Sequence, residues 1–169
     1  MNERIVDWLK NKVELDRSYK GYMDRRIIQK VPVSTNLVKA HIEKSDHNLE
    51  FSYFLFIENK FIDWIVVGLY YAVYHASLAL LANKGFSSKD HTATLCFLIK
   101  HYLEFSKDDI RLYYDLLITQ EEIQFYTTLK RERQKASYST VKAFDEEKVK
   151  ELREKAIGFV NKVKTILES

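Results

Sequence analysis

The sequence predicts an all-α protein, an up-and-down antiparallel four-helix bundle with extra N-terminal and short helices. Three observations carry that prediction. The 169 residues include only four glycines and a single proline, Pro32, so turns are few and elements must be long. Apolar residues recur every three to four positions through most of the chain. Residues 61–85, FIDWIVVGLYYAVYHASLALLANKG, form an almost unbroken apolar run that amphipathic helices are needed to cover.

Residues 2–20 read as a first amphipathic helix with Ile5, Trp8, Leu9 and Val13 on one side and Gly21 as its stop. Residues 22–34 hold Pro32 and the basic Arg25, Arg26 and Lys30, and they read as a connector because Pro32 disfavours helix at Val31. The chain therefore divides into an N-terminal helix and basic connector, 1–34, and a main helical domain, 35–169. Ser34 or Thr35 caps a second helix that runs to about Glu58 with Val38, Ile42, Leu49, Tyr53 and Phe56 inward.

The apolar run comes next. Between Trp64 and Asn83 there is no charged residue, and such a run is long enough to cross a bilayer. Tyr70, Tyr71, Tyr74 and His75 lie in its middle, where lipid offers hydroxyl and imidazole groups no partners, so no membrane span is predicted. It reads instead as the central rod of a bundle. Ile65, Leu69, Ala72, Val73, Ala76 and Leu80 form one side, Ala76, Ala79 and Ala82 allow close approach, and Gly85 suits a left-handed closing residue.

Ser88 or Asp90 caps a helix carrying Leu95, Leu98, Ile99, Tyr102 and Phe105, and Ser106 to Asp109 is a further cap signal. From Ile110 to about Ala136 the pattern is helical, with its phase disturbed at 119–122, and the polar run RERQKASYSTVKAF reads as a loop. Asp145 then caps a last helix, with Phe144 stapling against Val149. Its stripe is Val149, Leu152, Ala156, Phe159, Val160, Val163 and Leu167.

A single cysteine, Cys96, excludes an intrachain disulfide, and the start MNERIVDWLK has no basic segment followed by an apolar one, so the expected compartment is the cytoplasm. A net charge of +3 is compatible with nucleic-acid contact without demanding it. No Walker-type glycine loop, Gly-x-Ser-x-Gly elbow or paired-carboxylate signature is present, and no cofactor is expected. No metal site is expected either, since His41 and His47 fall on different helix faces and Cys96 has no nearby partner.

Several pieces then occur in order: YYAVYHASLALLANKG, a loop with KDH, an aromatic and aliphatic helix, Arg133-x-x-Ala136-Ser137-Tyr138, and FDEEKVKELREKAIGFVNKVKTIL. Together they resemble the HEPN domain, the higher-eukaryote and prokaryote nucleotide-binding family, over about residues 35–169. The resemblance implies a four-helix bundle that forms a homodimer and pairs with a minimal nucleotidyltransferase in toxin–antitoxin-like systems. Many members resemble ribonuclease toxins, in which an Arg-x(4 to 6)-His motif from each subunit meets at the dimer seam. There Arg holds the scissile phosphate and His moves the proton of the RNA 2′-hydroxyl.

This chain departs from that motif. The residues at those spacings from Arg133 are Tyr138, Ser139 and Thr140, and from Arg131 they are Ala136, Ser137 and Tyr138, with no histidine among them. Ser137 stands where the family more often has Asp. Arg133 and Tyr138 are the catalytic candidates, with Tyr138, at the position of the missing His, also the candidate acceptor of AMP from a nucleotidyltransferase. Arg131, Arg133, Gln134, Lys135, Ser137, Tyr71 and His75 are the candidates for holding nucleotide or phosphate.

Three function classes follow. The first is a nucleotide- or RNA-associated module of a two-component system. The second is a metal-independent endoribonuclease with a non-standard site in which His75 or His91 supplies the proton transfer. The third is a purely structural interaction bundle, in which Arg133 and Tyr138 fix a loop and dimer seam, His75 is a satisfied core histidine and His91 braces its loop.

Overall fold

The computed structural model describes residues 3–118 and 146–169. Helices α1 (Glu3–Lys10), α2 (Lys12–Asp24), α3 (Thr35–Ile57), α4 (Ile62–Asn83), α5 (His91–His101), α6 (residues 107–118) and α7 (Glu146–Glu168) account for most of these residues. Two short strands, β1 (Ile28–Lys30) and β2 (Phe86–Ser88), pair antiparallel with Ile28 opposite Ser88. The architecture is the predicted all-α helical bundle, with that ribbon as an unpredicted addition.

Helix α4 is the core of the molecule. Ile65, Leu69, Ala72, Val73, Ala76 and Leu80 are all buried, as their spacing predicts. By length and composition α4 would span a bilayer, yet 78% of its most apolar window is already buried inside the bundle. Its neighbours run antiparallel to it or to each other. Ser45 of α3 bonds the Ala72 carbonyl while Ser52 reaches the Ile65 carbonyl, and Lys164 of α7 pairs with Asp46 while Arg153 lies over Tyr53. Likewise Lys162 of α7 bonds Asp109 at the start of α6.

The α3–α4 seam is built from small residues. A Cβ on Gly68 would overlap Ser52 Oγ and press on the Phe51 ring and the Asn48 carbonyl, so glycine is needed for this close approach. This explains a departure on α3. The deeply buried positions are Ser45, Ser52 and Leu55, whereas Val38, Ile42, Leu49 and Phe56 are half-buried and Tyr53, expected inside, is 48% exposed beneath the Arg153 guanidinium. Close helix contact selects small side chains over the large apolar ones that periodicity favours.

The N-terminal region also differs from the expected single helix. Asn11 interrupts it, accepting the Val13 and Glu14 amides as the N-cap of α2. The break swings Val13 into solvent, 67% exposed, and leaves Gly21 inside α2. The turn comes later, at Arg26, whose φ is 56°. Residues 22–34 are correspondingly not a plain connector, because Tyr22 lies in α2 and Ile28 to Lys30 form β1. Ile5, Trp8, Leu15, Tyr22 and Ile28 join the same hydrophobic cluster as α4 and α5.

Other local expectations hold. Ser34 caps α3 by accepting the Leu37 amide, and Asp90 caps α5 by accepting the Ala93 amide. Ser106 and Asp109 exchange hydrogen bonds as a capping box at α6. Gly85, at φ 74°, closes α4, and its Cβ would stand 3.0 Å from the Val31 carbonyl, so the ribbon also depends on it. Val149, Ala156, Phe159, Val160 and Val163 of α7 are buried. The expected phase break at 119–122, the loop after it, the Asp145 cap and the Phe144 staple lie outside the described residues.

Candidate functional site

Four ring-bearing residues fall on α4 at 70, 71, 74 and 75. Helical geometry makes Tyr70 and Tyr74, and Tyr71 and His75, neighbours one turn apart. Tyr70 is buried, while the other three are half-buried. The ring centroids of Tyr70 and Tyr71 lie 5.1 Å apart, those of Tyr70 and Tyr74 5.9 Å in a stacked pair, and those of Tyr74 and His75 5.9 Å.

The row continues onto both flanking helices. Towards α5, the Tyr70 hydroxyl hydrogen-bonds His91 Nδ1, the Tyr74 ring sits 4.3 Å from the His91 ring, and the Tyr113 hydroxyl donates to the His91 carbonyl at 3.1 Å. His91 thus braces the loop between β2 and α5, as the sequence suggests. Towards α3, His75 Nδ1 and His41 Nδ1 are 3.2 Å apart, with ring centroids 5.4 Å apart. The two nitrogens face each other across a single hydrogen. One ring donates Nδ1–H and the other accepts, so the pair holds opposite tautomers. The pair's remaining Nε2 atoms are consequently one acceptor and one donor.

Burial sets the charge of these groups. Desolvation, reinforced by His41 and then by Lys44, lowers the His75 pKa to about 4, and desolvation also lowers that of His41. Both imidazoles are neutral at pH 7. Tyr74 is raised above the ordinary phenol range by burial, partly offset by a hydrogen bond with Thr94, and Tyr113, fully enclosed, is raised further. His41, His75, Tyr74 and Tyr113 are therefore uncharged at neutral pH, and the nearby cation on α3 is Lys44. Such a set can stack a base or ring and exchange hydrogen bonds with it; it cannot neutralise a phosphate by itself.

Of the predicted site residues, Tyr71 and His75 share a face, with ring centroids 6.5 Å apart. Arg131, Arg133, Gln134, Lys135, Ser137 and Tyr138 lie outside the described residues. Three members of the row were not proposed from sequence: His41, Tyr70 and Tyr74. The spacing Tyr70, Tyr71, Tyr74, His75 already places the tyrosines together, whereas His41 is joined only by the packing of α3 on α4. Cys96, buried, has its thiol pushed up to about 12 by desolvation and stays protonated. Among the described residues no three His, Cys, Asp or Glu side chains gather as a metal site.

The chain is thus a helical bundle around a covered apolar helix, with this row of rings across three helices. The HEPN domain model matches residues 38–166, and the chain belongs to the HEPN domain family. It is similar to a UPF0332 protein of Thermotoga maritima, 26% identical over 114 residues that span 68% of this chain and 79% of that protein. It is also similar to a Methanocaldococcus jannaschii protein named "Putative toxin", 27% identical over 128 residues that span 76% of this chain and 80% of that one. The family match begins inside α3, so α1, α2 and β1 lie outside it.

Proposed function

We propose that this HEPN protein is the nucleotide- or RNA-associated member of a cytoplasmic, toxin–antitoxin-like two-component system, working as a homodimer with a nucleotidyltransferase partner. Family membership and the toxin name of one relative support the class. The observation that carries the ligand is the row of rings His41, His75, Tyr71 and Tyr74, half-open to solvent. It offers stacking faces together with one donor and one acceptor nitrogen. Arg133, with Arg131, Gln134, Lys135 and Ser137, supplies the phosphate contacts in this proposal, and Tyr138 is the phenol that a partner enzyme would modify with AMP.

The test is binding of fluorescent single-stranded RNA and of labelled ATP to wild type, Arg133→Ala and His75→Ala. Losing one charged phosphate contact should weaken binding about tenfold or more. Equal affinity in all three proteins sinks the proposal. Retained AMP labelling of Tyr138→Phe by a co-expressed nucleotidyltransferase removes Tyr138 from the acceptor role.

A second reading, a metal-independent endoribonuclease, rests on the bare imidazole nitrogen of the His41–His75 pair as a proton acceptor. The depressed basicity of His75 weighs against it, because a general base works best with a pKa near the working pH. RNA cut equally by wild type, His75→Ala and Arg133→Ala excludes this enzyme.

A further inference from the structure

The two helices that make the central seam end in a turn with an unusual surface. Phe51 lies across the seam against Gly68, and along the chain from it exposed apolar side chains recur at Phe54 and Ile57 on α3 and at Phe61 and Trp64 where α4 begins. Phe54 is 62% exposed, Phe61 65% and Trp64 47%. From Phe51 to Ile57 the helix rises about 9 Å, a length close to two turns of a docked helix.

The backbone holds this patch open at a cost. Asn59 (φ 48°) and Phe61 (φ 52°) both occupy the left-handed region, and for a bulky ring that conformation is strained. Phe61 stands at the N-cap position of α4 and makes no side-chain capping bond there. A glycine would serve the turn better; what phenylalanine adds is an exposed ring.

The charges around the patch select its occupant. Glu50 precedes Phe51, Glu58 follows Ile57 and Asp63 precedes Trp64, while Lys60 is paired to Glu58 at 3.4 Å. Residues 50–64 carry three carboxylates and one lysine, a net −2, although the whole chain carries +3, and Arg153 lies over the adjoining Tyr53 and Phe56 rings. Anionic lipid and RNA phosphate are repelled by such a rim, and a two-fold contact with a second copy would set the same carboxylates against each other.

We propose that the turn between α3 and α4 is a docking site for a protein partner that presents a short amphipathic helix, apolar on one face and flanked by lysine or arginine. The site is separate from the row around His75 and does not depend on the proposed ligand. Phe61 and Trp64 are its anchors, and Glu50, Glu58 and Asp63 meet the basic flanks.

The probe is a labelled synthetic helix about two heptads long with a leucine face and lysine flanks, compared with the same peptide carrying glutamate flanks. Binding is followed by anisotropy and by Trp64 emission, since Trp8 is only 2% exposed. The lysine peptide should bind saturably, shift the emission to the blue and bind about tenfold more tightly than the glutamate peptide. Phe61→Gly should weaken it about fivefold or more while melting no earlier than wild type, because it removes an anchor and relieves the left-handed strain together. No binding of the lysine peptide, equal binding of both peptides, or unchanged affinity in Phe61→Gly overturns the proposal. So does a halved mass of Phe54→Ser in light scattering, which assigns the patch to a second copy, or an emission shift with phosphatidylserine vesicles, which assigns it to lipid.

Discussion

On its side towards the middle of α3, helix α4 presents Gly68 and Ala72, met by Ser52 and Ser45 with hydrogen bonds into backbone carbonyls. Over the same turns and the next, the same helix presents Tyr70, Tyr71, Tyr74 and His75, met by rings from α3 and α5. The first region is dry and close, and its side chains have no room to do anything but fit. The second keeps polar ring atoms half-open, so its packing is looser and its protonation is set by burial. The contrast teaches how one apolar rod carries two kinds of surface: small residues fix the distance between helices, and that fixed distance lets His41 and His75 meet nitrogen to nitrogen.

The largest effect should come from the closed interior. Leu80→Ala removes a fully buried side chain and should cost about 2–5 kcal/mol in urea unfolding, with the slope of the transition unchanged. A cost below that range would mean that the surroundings of α4 collapse easily, and the contrast with the ring side would lose its basis. Gly68→Ala overpacks the seam and should cost about 1–3 kcal/mol. Combining it with Ser52→Ala removes the first atom it meets, so the double variant should be more stable than Gly68→Ala alone. Strict additivity would show that Ser52 is not the obstacle.

The ring side should reveal itself through acid. With the folded His75 pKa lowered to about 4 from 6.5, the unfolded chain binds protons first as the pH falls below 6.5. Stability is thus full above pH 6.5 and declines between 6.5 and about 4, by about 1–3 kcal/mol from this group. His41, shifted the same way, adds to the decline. Thermal melts of wild type and His75→Phe across this window should show a shallower decline in the variant; parallel curves would take the pair out of the acid response. The smallest change is expected for Tyr71→Phe, half-buried at the open edge. It should alter stability by less than about 1 kcal/mol while weakening RNA or nucleotide binding about two- to tenfold, and unaltered binding would remove Tyr71 from the site.

Much of this molecule can be read from residue order. The caps at Ser34, Asp90 and Ser106, the bounds of α3 and α4, the left-handed Gly85 and the buried stripe of α7 all follow from local chemistry within one or two turns. The ribbon of β1 and β2 does not, because its strands are three residues each and too short to show a period. The inward face of α3 departs from periodicity at Tyr53 because periodicity counts apolar residues and the seam selects small ones. Of the candidate site, Tyr71 and His75 are legible as a helical pair, whereas nothing within its own helix marks His41, which only the packing of α3 on α4 brings to His75.

By itself, then, the sequence determined that long helices form, where they are capped, and that one uncharged helix must be wrapped by the rest, since these depend on backbone propensity and on burying apolar surface. Only the tertiary structure decided that Ser45 and Ser52 line the seam, that His41 faces His75, and that Phe54, Phe61 and Trp64 are left outside. Each of those depends on the distance between groups far apart in the chain, and that distance is set by how closely two helices can approach.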